Sequence, residues 1–277
     1  MLDTNKIYLG DAYELIKQLP DKSIDLIVTD PPYEFVSGGG GGCFGSKKKS
    51  YHGEYYKVAK NAQEPKYIVS DDKNKESIWN HKARSRSNIA HIYTGIDLEI
   101  LNEFDRVLKK INIYIWCSKA QIPALLNHYV VEKNCIFDIL TWHKVNPIPT
   151  VNNTYASDTE YCLVFREHGV GLYGTFESKR KWYVSGLNNA DKELYLHPTI
   201  KPLNIIKNLI INSSKENEIV LDPFIGSGTT AVACKELGRQ YIGFEIDKDY
   251  WQIAIDRLKG ITQKDKKKGQ LNLFQEE

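Results

Sequence analysis

Short apolar runs alternate with amphipathic stretches along most of the chain. The apolar runs are of strand length, whereas the amphipathic stretches carry apolar residues at helical spacing, as at Leu98, Leu101, Phe104 and Leu108. This alternation predicts an α/β fold, in which a doubly wound, mostly parallel sheet is covered by helices on both faces. Seven strands are predicted, at residues 7–9, 24–29, 111–117, 135–142, 160–165, 218–221 and 240–244. Helices are predicted at residues 12–19, 97–110, 121–131, 202–212, 229–237 and 248–258.

A long stretch at residues 34–92 breaks this alternation. It contains a glycine run at residues 38–42, and glycine loses more backbone entropy on ordering than any other residue, so we predict an inserted mobile loop. Residues 46–91 carry 11 lysines and arginines against 5 acidic residues, whereas the whole chain has a formal net charge of +2. This basic segment predicts a phosphate-contacting arm, and a solvated loop is the alternative that charge leaves open. The candidate contacts are Lys47, Lys48, Lys49, Arg84 and Arg86.

The remaining features limit domain number, chemistry and location. The 277 residues suit one large α/β domain over residues 1–277, with a short polar and aromatic region at 150–196 and a flexible tail at 262–277. Five scattered cysteines without a CxxC pair predict neither a zinc site nor a disulfide framework, and they favour the reducing cytoplasm. The sequence begins without a signal-peptide pattern, and no apolar run approaches the length of a membrane span.

The tetrapeptide Asp30-Pro31-Pro32-Tyr33 directly follows a predicted buried strand. Its two prolines forbid both a helix and continued strand pairing, so the chain is expected to be rigid and extended at the carboxyl end of that strand. Open α/β sheets bind their ligands at this end. An acidic acceptor and an aromatic ring are therefore predicted to lie together where a flat ring bearing an amino group can bind.

A second motif spans residues 219–231, where a strand is followed by a glycine turn and the start of a helix. Glu245 follows Asp222 by 23 residues at the end of the next strand, a spacing that suits an acid binding a ribose diol in a βαβ unit. Asp222 would repel a dinucleotide pyrophosphate but suits the ammonium group of S-adenosylmethionine, so the residues favour that cofactor over NAD. Asp11 is a candidate acceptor for the adenine amino group or, alternatively, a helix N-cap.

Together these motifs resemble those of the DNA amino-methyltransferases, which methylate adenine N6 or cytosine N4. The order, with Asp-Pro-Pro-Tyr before the Phe-Ile-Gly-Ser-Gly cofactor motif, is similar to that of the permuted beta class. Further matches at residues 10–11, 103–109, 142–147 and 197–202 resemble, in turn, an acidic cofactor motif, a helix common in the family, the lining of the target-base pocket and a motif that closes over the cofactor. The resemblance implies the Rossmann-like class I methyltransferase fold, S-adenosyl-L-methionine as cofactor, double-stranded DNA as substrate, a homodimer, and an association with restriction–modification.

The residues and the resemblance together predict individual roles. Acceptors at Asp30 and the Pro31 carbonyl are expected to hold the amino group of a flipped base while Tyr33 stacks on its ring, with no metal and no covalent intermediate. The expected catalytic residues are Asp30, Pro31, Pro32 and Tyr33. Cofactor contacts are expected from Asp11, Asp30, Thr199, Lys201, Asp222, Pro223, Phe224, Gly226, Gly228, Thr229, Thr230 and Glu245. DNA contacts are expected from the five basic residues of the insertion and from Trp142, Lys144 and Asn146, with core packing as the alternative for Trp142.

The base and the substrate class have named alternatives. Asp at position 30 is more typical of the adenine enzymes of this family, whereas the cytosine-N4 enzymes more often have Ser, so adenine is the expected base and cytosine N4 the alternative. An RNA methyltransferase is a second alternative, since related enzymes resemble the same tetrapeptide. Cytosine-5 methylation needs a cysteine nucleophile within a Pro-Cys pair, and no proline here precedes a cysteine. The target-recognition region expected at residues 150–196 is short, so DNA reading is expected to be shared with residues 34–92.

Overall fold

The computed structural model describes residues 2–33, 96–147, 155–186, 194–195, 200–262 and 265. Within these residues, eight strands form one sheet and the helices pack against it. The strands are β1 (Lys6–Leu9), β2 (Leu26–Thr29), β3 (Asn112–Cys117), β4 (Ile136–Lys144), β5 (Thr159–Arg166), β6 (Trp182–Ser185), β7 (Ile219–Asp222) and β8 (Gln240–Glu245). The helices are α1 (Ala12–Leu15), α2 (Ile100–Val107), α3 (Ile122–Leu126), α4 (Leu203–Ser213), α5 (Thr229–Glu236) and α6 (Lys248–Leu258).

The strands follow the order β1-β8-β7-β2-β3-β5-β4-β6 across the sheet. Five of the neighbouring pairs are parallel, and the two pairs that involve β5 are antiparallel. The predicted α/β fold with a mostly parallel sheet is therefore confirmed. The sheet has one strand more than the seven expected, because β6 pairs with β4 at the edge. This strand has only four residues, and its run of three strand-forming residues, Trp182-Tyr183-Val184, is shorter than the apolar runs of the predicted strands in the centre of the sheet.

The two faces of the sheet are covered by different helices. Alternate strand residues point to opposite faces, so that Ile27 of β2 packs with α1, α2 and α3, whereas Leu26 and Val28 pack with α4 and α5. The central strands β2 and β3 are buried along their whole length. Strands buried on both faces give continuous apolar runs instead of alternating ones, which explains why these two were visible in the sequence.

The helix that follows β1 begins at a side-chain cap. Asp11 has an extended backbone and its carboxylate accepts a hydrogen bond from the Tyr13 N–H over 2.9 Å. The N-cap alternative for Asp11 is therefore confirmed. The predicted helix at residues 121–131 divides into α3 and a π-helical segment at Asn127–Glu132.

The direction of β5 determines which residues share the carboxyl edge of the parallel strands. Since β5 is antiparallel to β3 and β4, its first residues lie beside the last residues of those strands. Glu160 is paired with Trp142, and Thr159 with His143. The amino end of β5 thus lies at the same edge of the sheet as the carboxyl ends of β2, β7 and β8.

Candidate active site

The two sequence motifs meet because β2 and β7 are neighbours in the sheet. Asp30 follows β2, and Asp222 is the last residue of β7. The Thr29 hydroxyl donates to Asp222 Oδ1 over 3.0 Å, which joins the two motifs directly. A cavity of about 70 Å³ lies between them. It is lined by Val28, Thr29, Asp30, Trp116, Lys201, Ile206, Asp222, Phe224, Ile225, Gly226, Ser227, Thr229 and Thr230.

Asp222 is a buried carboxylate that accepts three hydrogen bonds. Besides Thr29, the Thr230 hydroxyl donates to Oδ2 over 2.6 Å and the Phe224 N–H donates to Oδ1 over 3.2 Å. Burial raises the pKa of Asp222 to about 7, and the hydrogen bonds oppose that shift. The ionised carboxylate of Asp222 is therefore unfavourable in the ligand-free protein, and a cationic ligand would stabilise it.

Glu245 connects the glycine turn to the start of α6 through its two carboxylate oxygens. Oε2 accepts from the Gly226 N–H over 2.9 Å, and Oε1 accepts from the Asp247 N–H over 2.8 Å. Burial raises the pKa of Glu245 to about 7, against the effect of these backbone donors. The two acids thus lie at the ends of adjacent strands, one on each side of the turn, as expected for a nucleotide-type cofactor.

The turn also brings helix α5 close to helix α6. Gly228 has a φ of +79°, and a Cβ there would lie 2.9 Å from Ala254 Cβ. Gly260 has a similar φ of +73°, but a Cβ there would meet no atom within 4 Å. These two glycines share the same left-handed conformation and differ in the space around them.

Gly228→Ala is therefore expected to destabilise the protein more than Gly260→Ala does. Both alanines would pay about 1–2 kcal/mol for the left-handed backbone, and Gly228→Ala would add about 1–3 kcal/mol for the clash with Ala254. Denaturant unfolding of the two variants measures the difference directly. Equal free energies of unfolding would show that close helix packing does not require glycine at this turn.

A line of four alternating charges runs beside the cavity. Lys201 Nζ lies 2.5 Å from Asp30 Oδ2 and 2.9 Å from Glu160 Oε2. Lys144 Nζ lies 2.5 Å from Glu160 Oε1. Lys201 is only 7% exposed, so its ammonium group is balanced by these two carboxylates and not by solvent. We refer to Asp30, Lys201, Glu160 and Lys144 as the charge line.

The tetrapeptide is also tied to the loop after β3. Gln121 Nε2 donates to the Pro32 carbonyl over 3.1 Å, and the Ser118 N–H donates to Gln121 Oε1 over 2.9 Å. Tyr33 is half-buried, and its hydroxyl accepts from Lys201 Nζ over 3.3 Å. Burial raises the pKa of Tyr33 well above its ordinary value, so the ring remains a neutral phenol.

Comparison with known proteins connects this arrangement with a family. The sequence profile of the DNA methylases that modify adenine N6 or cytosine N4 matches residues 24–256. The chain belongs to this family. The type II methyltransferase M2.LlaDCHI of Lactococcus lactis subsp. cremoris is 32% identical over 274 residues, covering 91% of this chain and 89% of the relative. M2.DpnII of Streptococcus pneumoniae is 30% identical over 275 residues, covering 92% and 90%.

Solved structures are similar to this DNA methylase over nearly the whole chain. The crystal structure of the M1.HpyAVI complex with S-adenosylmethionine is 25% identical, with a TM-score of 0.55, and the match covers 91% of this chain and 99% of that one. The PvuII DNA methyltransferase, described as cytosine-N4-specific, has a TM-score of 0.61 at 16% identity, covering 93% and 87%, and this likeness shows the fold alone. The predicted family, fold class and cofactor are confirmed.

The cavity of the DNA methylase contains most of the cofactor contacts predicted from the sequence. Asp30, Lys201, Asp222, Phe224, Gly226, Thr229 and Thr230 line it, whereas Pro223, Gly228 and Glu245 are not among its lining residues and Asp11 is exposed at the start of α1. Their fit to S-adenosyl-L-methionine follows from the donor set: two buried carboxylates and a glycine turn suit an ammonium group and a ribose. Thr199, Lys47, Lys48, Lys49, Arg84 and Arg86 lie outside the described residues, as do the rest of the 34–92 insertion and most of the 262–277 tail.

The three predicted DNA contacts on the described part of the chain lie in different environments. Trp142 is 2% exposed, and its indole N–H donates to Ser185 Oγ over 2.8 Å, in agreement with the core-packing alternative. The Lys144 ammonium is occupied by Glu160. Asn146 is exposed. Their contact with DNA stays a prediction.

Two residues that contact the motifs were not found by sequence reasoning. The sequence pattern predicts only that Glu160 begins a strand and that Gln121 begins a helix. Both reach the site through the order of strands in the sheet, which local patterns do not show. A signal was available for Glu160, because an acidic residue at the end of an otherwise apolar strand needs a partner when that strand is buried.

The described residues contain no group of three or more His, Cys, Asp or Glu side chains placed to hold a metal ion. The described cysteines, Cys117, Cys135, Cys162 and Cys234, are buried and unpaired by disulfides. Among the helices that the structure describes, none is both long and apolar enough to cross a membrane.

Proposed function

We propose that this DNA methylase transfers a methyl group from S-adenosyl-L-methionine to the N6 amino group of adenine in double-stranded DNA. The observation that carries the proposal is the carboxylate of Asp30 at the carboxyl end of β2, next to the cavity that Asp222 and the glycine turn form. Asp at this position resembles the adenine enzymes of the family. Cytosine N4 is the second candidate, because either amino group could bind between the same acceptors.

The chemistry of the amino group explains why these residues are needed. The nitrogen of an exocyclic amino group is a weak nucleophile because its lone pair is delocalised into the ring. Acceptors aimed at both N–H groups favour a pyramidal nitrogen, and Asp30 and the Pro31 carbonyl are the proposed acceptors. The bound cofactor supplies a methyl group already activated as a sulfonium. The rigid prolines and the Gln121 hydrogen bond to Pro32 hold the acceptors in position.

The base has to leave the duplex to reach Asp30, which costs a few kcal/mol. Stacking on Tyr33 is proposed to recover about 1–3 kcal/mol of that cost. DNA contacts are proposed for the basic residues of the insertion and for the region around residues 150–196, of which residues 155–186 and 194–195 are described. A homodimer, a cytoplasmic location and a role in restriction–modification are proposed on the resemblance and the cysteine pattern.

Long-read methylome sequencing of a methylation-free host that expresses the protein tests the proposal. N6-methyladenine at one recurrent sequence is the expected result, and the Asp30→Ala variant serves as the inactive control. Recurrent N4-methylcytosine would instead show that cytosine N4 is the target, which is the second candidate. Unmodified DNA together with tritium transfer to RNA would show that the substrate is RNA and contradict the proposed function.

A further inference from the structure

The charge line connects three parts of the site that are far apart in sequence. Asp30 belongs to the tetrapeptide, Lys201 precedes α4, and Glu160 and Lys144 are at the paired ends of β5 and β4. Two positive and two negative groups alternate, so the line is neutral as a whole. Buried ion pairs contribute little net stability, because the loss of hydration offsets their attraction. A line of this kind beside a reaction site therefore calls for a functional explanation.

The two oxygens of Asp30 are in different situations. Oδ2 accepts a hydrogen bond from Lys201 Nζ over 2.5 Å. Oδ1 is shielded from solvent and has no hydrogen-bond partner among the residues that the structure describes. A shielded acceptor without a donor is unfavourable unless a ligand supplies the donor. Asp30 therefore has one oxygen held by the protein and one that needs a donor from outside.

We propose that Lys201 is a positioning residue that binds one oxygen of Asp30 and leaves the other as the acceptor for the target amino group, and that Glu160 holds Lys201 in place. This inference rests on the proposed function, and it assigns Lys201 a role toward the target base in addition to the predicted contact with the cofactor. Lys144 completes the line by neutralising the second oxygen of Glu160. The charge of Lys201 also keeps Asp30 in the acceptor-only, ionised form.

Asp30 needs the positive charge of Lys201 to stay ionised, because burial and the nearby acidic groups favour its protonated form. Burial raises the pKa of Asp30, Lys201 lowers it, and Glu160 raises it again. Asp222, Cys117 and Cys162 are the other titratable groups that interact with Asp30, and the nearby Tyr33 hydroxyl lowers the pKa of Asp30. Among these groups Lys201 is the sole cation. Burial alone would lower the pKa of Lys201, but Asp30 and Glu160 raise it well above its ordinary value, so the cation persists at neutral pH.

The pH dependence of methyl transfer in Lys201→Met tests the proposal. Single-turnover rates would be measured with tritiated cofactor and plasmid DNA from a methylation-free host. Without the cation, Asp30 becomes protonated at higher pH, so the acid limb of the rate profile should move up by at least about one pH unit. At neutral pH the rate should fall at least about 10-fold and recover as the pH is raised. Lys201→Arg, which keeps the charge, should keep the wild-type acid limb.

Lys207→Met is the matched control, because Lys207 is a lysine of α4 that pairs with Glu236 on α5 and does not line the cavity. Its acid limb should coincide with that of the wild type. Glu160→Gln should lower the rate at every pH without an upward shift of the limb, since it removes an anion that opposes the ionisation of Asp30. A wild-type rate in Glu160→Gln would remove Glu160 from the proposal.

A measurement that does not depend on methyl transfer separates a change in the pKa of Asp30 from a loss of activity caused by misfolding. Carboxyl carbon NMR of the cofactor-free protein, with Asp30→Asn to assign the signal, should show Asp30 titrating at higher pH in Lys201→Met than in the wild type. If Lys201→Met does not fold, Lys201→Met combined with Glu160→Gln removes one charge of each sign and should show a smaller shift in the same direction, because Lys201 affects the pKa of Asp30 more than Glu160 does. An unchanged Asp30 titration together with an unchanged acid limb would overturn the proposal. A wild-type protein that methylates no DNA would instead overturn the proposed function.

Discussion

Asp30→Ala is expected to reduce methyl transfer by about 100- to 1000-fold or more while leaving the affinity for S-adenosyl-L-methionine largely unchanged. The variant removes the only side-chain acceptor of the tetrapeptide that the structure places next to the cavity, so the amino nitrogen would keep its planar, unreactive form. Asp222, which is expected to hold the cofactor, keeps its three hydrogen-bond donors, none of which comes from Asp30. Single-turnover tritium transfer and calorimetric titration with the cofactor measure the two effects separately.

Asp21→Ala is the control for this prediction, because Asp21 is an exposed acid whose partner is Arg106, away from the cavity. It should methylate at the wild-type rate. If Asp30→Ala retained even a tenth of the wild-type rate, Asp30 would not be the acceptor on which the reaction depends. Loss of cofactor affinity in Asp30→Ala would indicate that the carboxylate acts chiefly on the cofactor.

The parts of the site that the sequence revealed are those with a local physical cause. The two prolines and the apolar run before them mark the end of β2 because proline cannot continue a ladder. The glycine turn could be predicted because the left-handed backbone at Gly226 and Gly228 favours glycine, and Gly228 in addition leaves no space for a Cβ beside Ala254. The positions of Asp222 and Glu245 could be predicted because each is the last residue of a short apolar strand in the parallel part of the sheet.

The parts that the sequence did not reveal depend on how distant strands are arranged. Glu160 meets Lys201 only because β5 runs antiparallel between β3 and β4, which brings its first residues to the carboxyl edge. Nothing local to residues 160–165 gives that direction. The same holds for β6, whose four residues are a strand only because β4 offers an edge to pair with. The environment of Trp142 depends on that pairing too, because its hydrogen-bond partner Ser185 belongs to β6.

Asp222→Asn is expected to weaken binding of S-adenosyl-L-methionine at neutral pH by at least about 30-fold, because loss of one partner of a buried charge pair costs about 2–5 kcal/mol. The substitution preserves the shape of the side chain and an oxygen that can accept from Thr29 and Phe224. The fold should therefore persist. Calorimetric titration of the purified variant measures the change. Unchanged affinity would show that Asp222 does not contact the cationic end of the cofactor.

In the cofactor-free protein, Asp222→Asn is instead expected to stabilise the folded state relative to the wild type at a pH above the pKa of Asp222. Burial raises the pKa of folded Asp222 from its ordinary value of 3.8 to about 7, so the folded state binds a proton more tightly than the unfolded state does. The stability that this proton provides is complete below the unfolded pKa and is lost as the pH rises through about 7, at about 1.4 kcal/mol for each pH unit. Above that pH the wild type carries the full cost of a buried anion, whereas Asp222→Asn does not.

Thermal unfolding without cofactor should accordingly favour Asp222→Asn over the wild type more strongly at about pH 8 than at about pH 5. Burial also raises the pKa of Glu245 to about 7, but Glu245 is present in both proteins, so its contribution is expected to cancel in the comparison. A difference in stability that does not change with pH would show that Asp222 titrates near its ordinary value. A cofactor that binds the ionised form reverses the preference, since the ammonium group supplies the countercharge that the ligand-free site lacks. The carboxylate that burial makes costly in the ligand-free protein is thus the one that the proposed cofactor stabilises.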